Sequence, residues 1–140
     1  MSTKNSNVKK DRIFNLMLKT LCGAMACWCL PATADWLALT QNAEGSFFYE
    51  PTAQVQTDHI HVWRLTDFAQ PLTNLEGKEV RSEKTLTAVD CRAAKLANSQ
   101  VTRYAGLHAQ GEVMNHYETP LRFTRIAPDG VDALLLKKIC

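Results

Sequence analysis

The sharpest alternation of apolar and polar positions falls on His59-Ile60-His61-Val62-Trp63-Arg64-Leu65-Thr66. As a strand it points Ile60 and Val62 to one side and Trp63 and Leu65 to the other. Apolar residues on both sides predict a central strand covered, at least in part, on both faces. Residues 36–40 are short and apolar, and the turn residues from Asn42 to Gly45 separate them from a second strand over 46–49, stopped by Pro51. Residues 71–77 predict a loop. Residues 80–90 are rich in β-branched side chains and place Arg81, Glu83, Thr85 and Thr87 on one side. Residues 93–104 conflict: Ala93, Ala94, Leu96 and Ala97 favour helix, whereas Asn98, Ser99, Val101, Thr102 and Tyr104 do not. A turn over 106–111 and strands over 112–117 and 122–126 follow.

The period then changes. Pro128-Asp129-Gly130 precedes Val131, Leu134, Leu135 and Ile139, an apolar stripe at helical spacing. Asp129 is the expected cap. Asp132 in the first turn and Lys137 and Lys138 in the last suit the helix dipole. Such a short amphipathic helix must bury one face on the sheet, and its end carries Cys140.

The N-terminus has another pattern. Residues 1–12 are polar and basic, residues 21–30 are apolar and free of charge, and Pro31-Ala32-Thr33-Ala34 ends in Ala-x-Ala. These are the three parts of a signal peptide, so cleavage after Ala34 is expected. Two alternatives stand beside it. An uncleaved anchor needs about 20 apolar residues and would have to include Asn15, Lys19 and Thr20. Lipid attachment at Cys27 or Cys22 would follow Ala24-Met25-Ala26 or Lys19-Thr20-Leu21, both poor matches to a lipidation site.

Cleavage reorganises the composition. Residues 1–34 hold five Lys and Arg and one Asp, so the +2 of the whole chain becomes −2 over residues 35–140. Lys137-Lys138 is the one basic pair left standing together, which argues against nucleic acid. The cut also discards Cys22, Cys27 and Cys29. Cys91 and Cys140 remain, an even number in a compartment that oxidises thiols, which predicts a structural disulfide. The expected organisation is a signal peptide over 1–34 and one small domain over 35–140. That domain is expected to carry no membrane span and to be exported to an oxidising compartment.

Catalytic motifs are missing from the expected domain. Residues 35–140 contain no G-x-S-x-G or S-x-x-K, and paired cysteines cannot act as thiolates. His59 and His61, at i and i+2, would share a sheet face as strand metal ligands do. Nothing in sequence supplies a third ligand, so they read as ordinary strand histidines. A non-enzyme without cofactor or metal is expected. Trp36, Phe47, Phe48, Tyr49 and Trp63 are the conspicuous aromatic set. They read as core, or, more sharply, as an exposed patch for a protein partner or for a second copy of the chain.

Taken in order, these residues resemble the surface-adhesin protein E family of Gram-negative envelope proteins. The marks are Phe48-Tyr49 before an acidic residue, Val62-Trp63-Arg64-Leu65-Thr66-Asp67, and Arg81-Ser82-x-Lys84. Val89-Asp90-Cys91, Tyr104-x-Gly106, and Ile126-x-Pro128 before a helix ending in Cys complete the set. Three positions depart from the family pattern: Glu50 stands for Asp, Phe123 for Trp, and Pro128-Asp129-Gly130 for Pro-Gly-Ser. The resemblance implies an α+β fold, a single antiparallel sheet of about six strands with a C-terminal helix packed on it and tied to it by a disulfide. It turns residues 93–104 into a strand, against local propensity. It also implies an exported, non-enzymatic adhesin-type protein recognising a protein partner, with host extracellular-matrix or plasma proteins as the family's known class. The alternative is a periplasmic accessory or binding domain with no host role.

Overall fold

In the computed structural model, which describes residues 35–140, the alternating segment becomes the middle of a 15-residue strand. The expected leader over 1–34, with its three cysteines and its cleavage site, lies outside the described residues. Eight strands form one antiparallel sheet: β1 (Leu37–Gln41), β2 (Gly45–Tyr49), β3 (Gln54–Gln56), β4 (His59–Thr73), β5 (Glu79–Asp90), β6 (Lys95–Tyr104), β7 (Val113–Glu118) and β8 (Thr124–Arg125). One helix, α1 (Val131–Ile139), follows. The path β1-β2-β4-β5-β6-β7 supplies the six strands anticipated. The two short extras tile its flanks. β3 pairs with β4 at His59–His61, end to end with β2, and β8 pairs with β6 at Lys95 and Leu96, end to end with β7.

Both expected faces of β4 are covered, since Val62 and Leu65 are fully buried on opposite sides. Of residues 93–104, Lys95–Tyr104 are a strand, while Ala93 and Ala94 belong to the turn before it. Asp90 turns the chain by accepting the Ala93 N–H at 2.8 Å, and Ala94 takes a left-handed conformation, φ 49°. β6 then gains a neighbour on each side, and that pairing overrides helix propensity. The loop expected over 71–77 is shorter, because β4 runs to Thr73. Pro71 falls in the interruption of pairing between Asp67 and Leu72, where a missing N–H costs no ladder bond. Asn74 closes the turn, its Oδ1 accepting the N–H groups of Glu76 and Lys78 at 3.0 and 2.9 Å. At the other hairpin Asn42 Oδ1 accepts from Glu44 and Gly45. Gly45 must be glycine, because a Cβ there would collide with the Asp67 carbonyl oxygen.

The helix forms where its pattern predicts but lies on the sheet by a neighbouring stripe. Leu135, Leu136 and Ile139 pack on Val62, Val89 and Leu96, with Leu39, Tyr49 and Ile126 around them, while Leu134 is exposed. Asp132 shares that stripe at i, i+3, i+4, i+7. It meets Arg64 of β4 at 2.8 Å, so the ion pair lies on the same side of the helix as its apolar contacts. The expected cap at Asp129 is not made. Gly130 takes the N-cap position without a side-chain hydrogen bond. Cys140, at the helix end, is bonded to Cys91, just past β5.

Candidate recognition face

Successive strand residues face opposite ways, so cross-strand register sorts the side chains onto two faces. Arg64 pairs with Tyr49 and Thr85 and reaches Asp132 of α1. Phe47, Tyr49, Ile60 and Val62 therefore share the helix face. Phe48, Leu65 and Lys84 line up on the opposite face, and next to them Trp63 pairs with Leu86. The five aromatics singled out in the sequence thus divide. Trp36, Phe48 and Trp63 belong to the helix-free face, and Phe47 and Tyr49 to the helix face, where Tyr49 packs on the core. All five are half-buried.

Lys84 organises the helix-free face, and the sequence had not marked it as a site residue. Its Nζ sits 4.3 Å from the Trp63 ring centroid and 5.7 Å from that of Trp36. A desolvated ammonium over indole is held by the ring quadrupole, at about 1–2 kcal/mol for a partly buried pair. The three side chains form one amphipathic unit. Only cross-strand register could have revealed it, because Lys84 and Trp63 are diagonal neighbours on β5 and β4.

At one end of this face the loop after β6 folds back over the sheet. The buried Asp67 carboxylate accepts the His108 N–H at 2.7 Å and meets His108 Nδ1 at 2.8 Å. Ser82, fully buried, donates to the Gly106 carbonyl at 2.6 Å and accepts the Ala109 N–H at 3.0 Å. The His108 ring lies 5.2 Å from Phe48. Asp, His and Ser are the residue types of a hydrolase triad, but they are not wired as one. The Ser82 hydroxyl is turned to the backbone and inaccessible, so His108 has no nucleophile to activate.

At the other end His59 stacks on Phe123, centroids 4.5 Å apart. Phe123 thus finds a partner on this sheet face. His61 stands beside it on β4, and among the described residues no three His, Cys, Asp or Glu are placed to hold a metal. On the helix side, Arg103 Nε donates to Glu83 Oε2 at 2.8 Å. That hydrogen bond raises the guanidinium pKa. Partial burial opposes the shift, and the Glu83 charge adds to it. Arg103 is therefore a permanent cation, lying 6.0 Å from the Tyr117 ring.

These features define a class: an open antiparallel sheet stapled to one helix by a disulfide, with the other face built of aromatic and polar side chains. The family model for surface-adhesin protein E matches residues 36–140, and the chain belongs to that family. The fold is similar to that of Haemophilus influenzae protein E, with a TM-score of 0.60 at 14% identity over 79% of this chain and 86% of that one. Crystal form II of the same protein gives 0.63 at 15% identity over 79% and 93%. A structure of protein E from non-typeable Haemophilus influenzae gives 0.57 at 13% over 77% and 75%. At such identities the likeness is one of fold. No curated protein matches the sequence.

Proposed function

We propose that the domain is an exported, non-enzymatic envelope protein that recognises a protein partner through its helix-free face. Host extracellular-matrix proteins are the partner class to test first. The observation that carries this reading is the Trp36–Lys84–Trp63 cluster, half-buried on a face that α1 leaves free. Indole rings held in place by a cation lose little freedom on binding, which is what an interface hot spot requires. Immobilised matrix proteins should capture the purified, disulfide-bonded protein. Trp36→Ala combined with Lys84→Ala should weaken capture by roughly 30-fold, about 2 kcal/mol, with an unchanged circular-dichroism spectrum. Equal capture of the double variant would remove the cluster from the interface.

A second reading, a periplasmic accessory domain that never meets a host, is favoured by one observation: the early cysteines match a lipidation site poorly. Protease treatment of intact cells separates the two. A displayed adhesin is shaved from the surface, and a periplasmic one survives until the outer membrane is opened. In both cases the proposed leader is removed after Ala34, so the mature chain begins at Asp35. An N-terminus at a lipidated Cys27 would replace that assignment.

A further inference from the structure

Beside the aromatic cluster, on the His61 side of Trp63 and away from Lys84, lies a concavity of about 270 Å³. Its floor is Trp63 with Leu86. Its walls are Gln54 and Gln56 from β3, His61 from β4 and Ser99 from β6. We propose that this groove binds a neutral saccharide, one sugar ring against the indole with its hydroxyls held by Gln54, Gln56 and His61.

Size gives the first argument. The groove is just below the ~300 Å³ at which pockets for drug-sized ligands begin, which suits one or two sugar rings and excludes a helix or a strand. Placement gives the second. β3 pairs Gln54 with His61 and Gln56 with His59, and period-2 alternation sends both amides to the same side as Trp63. A three-residue strand reading Gln-Val-Gln has both glutamines exposed.

The chemistry of the lining decides the ligand class. Each amide presents two donors and an acceptor, and an imidazole presents one of each when neutral. A set that both donates and accepts matches vicinal hydroxyls, which do the same. No Lys or Arg lines the groove, and Glu50 contributes a carboxylate that accepts from the Thr52 hydroxyl at 2.9 Å. A phosphate or sulfate would meet negative charge with no cation to answer it. The indole supplies an apolar plane for the C–H face of a pyranose. Lys84 is on the Leu65 side of Trp63, so it steadies the ring without entering the groove. Ser99 Oγ donates to the Leu86 carbonyl at 3.2 Å and fixes the far wall.

The site shares the Trp63 ring with the proposed protein-binding cluster, and variants at residues that belong to one of them alone separate the two. The probes are lactose, maltose and diacetylchitobiose, with glucose 6-phosphate as the anionic control. They are added to the purified protein and followed by tryptophan fluorescence and saturation-transfer NMR. At least one neutral sugar is expected to bind, and Gln54→Ala with Gln56→Ala to weaken it about tenfold or more, two lost hydrogen bonds. Trp36→Ala should leave sugar binding intact, and the double glutamine variant should leave protein capture intact. Both glutamines are exposed on a flank strand, so their removal does not threaten the fold. Absence of any neutral-sugar signal at about 10 mM, a weaker limit than millimolar affinity, overturns the proposal. So does tighter binding of glucose 6-phosphate, or unchanged affinity in the glutamine variant.

Discussion

Replacing Cys91 and Cys140 together by Ser is expected to lower the stability of the domain by about 4 kcal/mol. The bond joins residues 49 apart in sequence, and chain-entropy arithmetic for a loop of that length gives about 4 kcal/mol at 25 °C. Domains of this size are stable by roughly 5–15 kcal/mol in total, so the loss is a large share. With roughly 4–8 °C of Tm per kcal/mol at about 100 residues, the melting temperature should fall by about 20 °C. The damage should also be uneven. α1 is nine residues long, too short to persist unless it is held on the sheet, and its last turn is where the bond enters. Amide exchange in α1 should therefore accelerate before exchange in β4 and β5 does. A double variant melting within a few degrees of the parent would show that packing of Leu135, Leu136 and Ile139 alone holds the helix.

The second large effect is expected at Asp67. Both oxygens of this buried carboxylate are committed to His108, one to its backbone N–H and one to its ring. They hold a loop in which His108 and Ala109 both have left-handed backbones, φ 56° and 55°. For residues with a Cβ that conformation costs about 1 kcal/mol or more each. Asp67→Ala removes the acceptors and keeps the strain. Hydrogen bonds to a charged group contribute about 1.5–3 kcal/mol each, and the His108 ring is half in solvent, so a loss of about 3 kcal/mol is expected. Asp67→Asn keeps one acceptor and the shape, and should recover about half of that loss. Amide exchange at His108 and Ala109 should rise in both variants, and Phe48 should become open to solvent. Unchanged exchange at those two amides would mean that Ser82 alone secures the loop.

Much of the fold was legible because its central strands announce themselves. His59 to Thr66 alternates with one change of phase at Val62-Trp63, and Val62 and Leu65 are buried on the two faces that this change gives them. β3 was not legible. Gln-Val-Gln has no apolar alternation, and it becomes a strand only because the turn at Thr57 lays it against β4. β6 was ambiguous for a related reason, since its neighbours are distant in sequence and local propensity carries no record of them. The helix was found, but not its orientation, because its contacts on the sheet, Arg64 among them, cannot be seen from α1 alone. The aromatic set is different. Phe47-Phe48-Tyr49 are consecutive, so in any strand the middle one must face away from its neighbours, and that division was already implicit in the assignment of β2. What no local pattern could supply was Lys84, Phe123 and the glutamines. Each joins the helix-free face through register, or through a loop that crosses the sheet.

The order of the strands has a consequence in time. Along β1-β2-β4-β5-β6-β7 each strand adds beside one already made, and β3 and β8 dock onto strands at hand. A chain emerging N-terminus first can therefore assemble its sheet progressively, with little waiting for remote partners. Cys91 is laid down well before Cys140, 49 residues on, and must persist as a thiol while β6, β7 and β8 are added. The oxidation that closes the sheet onto its helix is then a late covalent event, made on a nearly finished sheet. An oxidant acting too early would find Cys91 without Cys140, and its natural wrong product is a dimer of half-made chains.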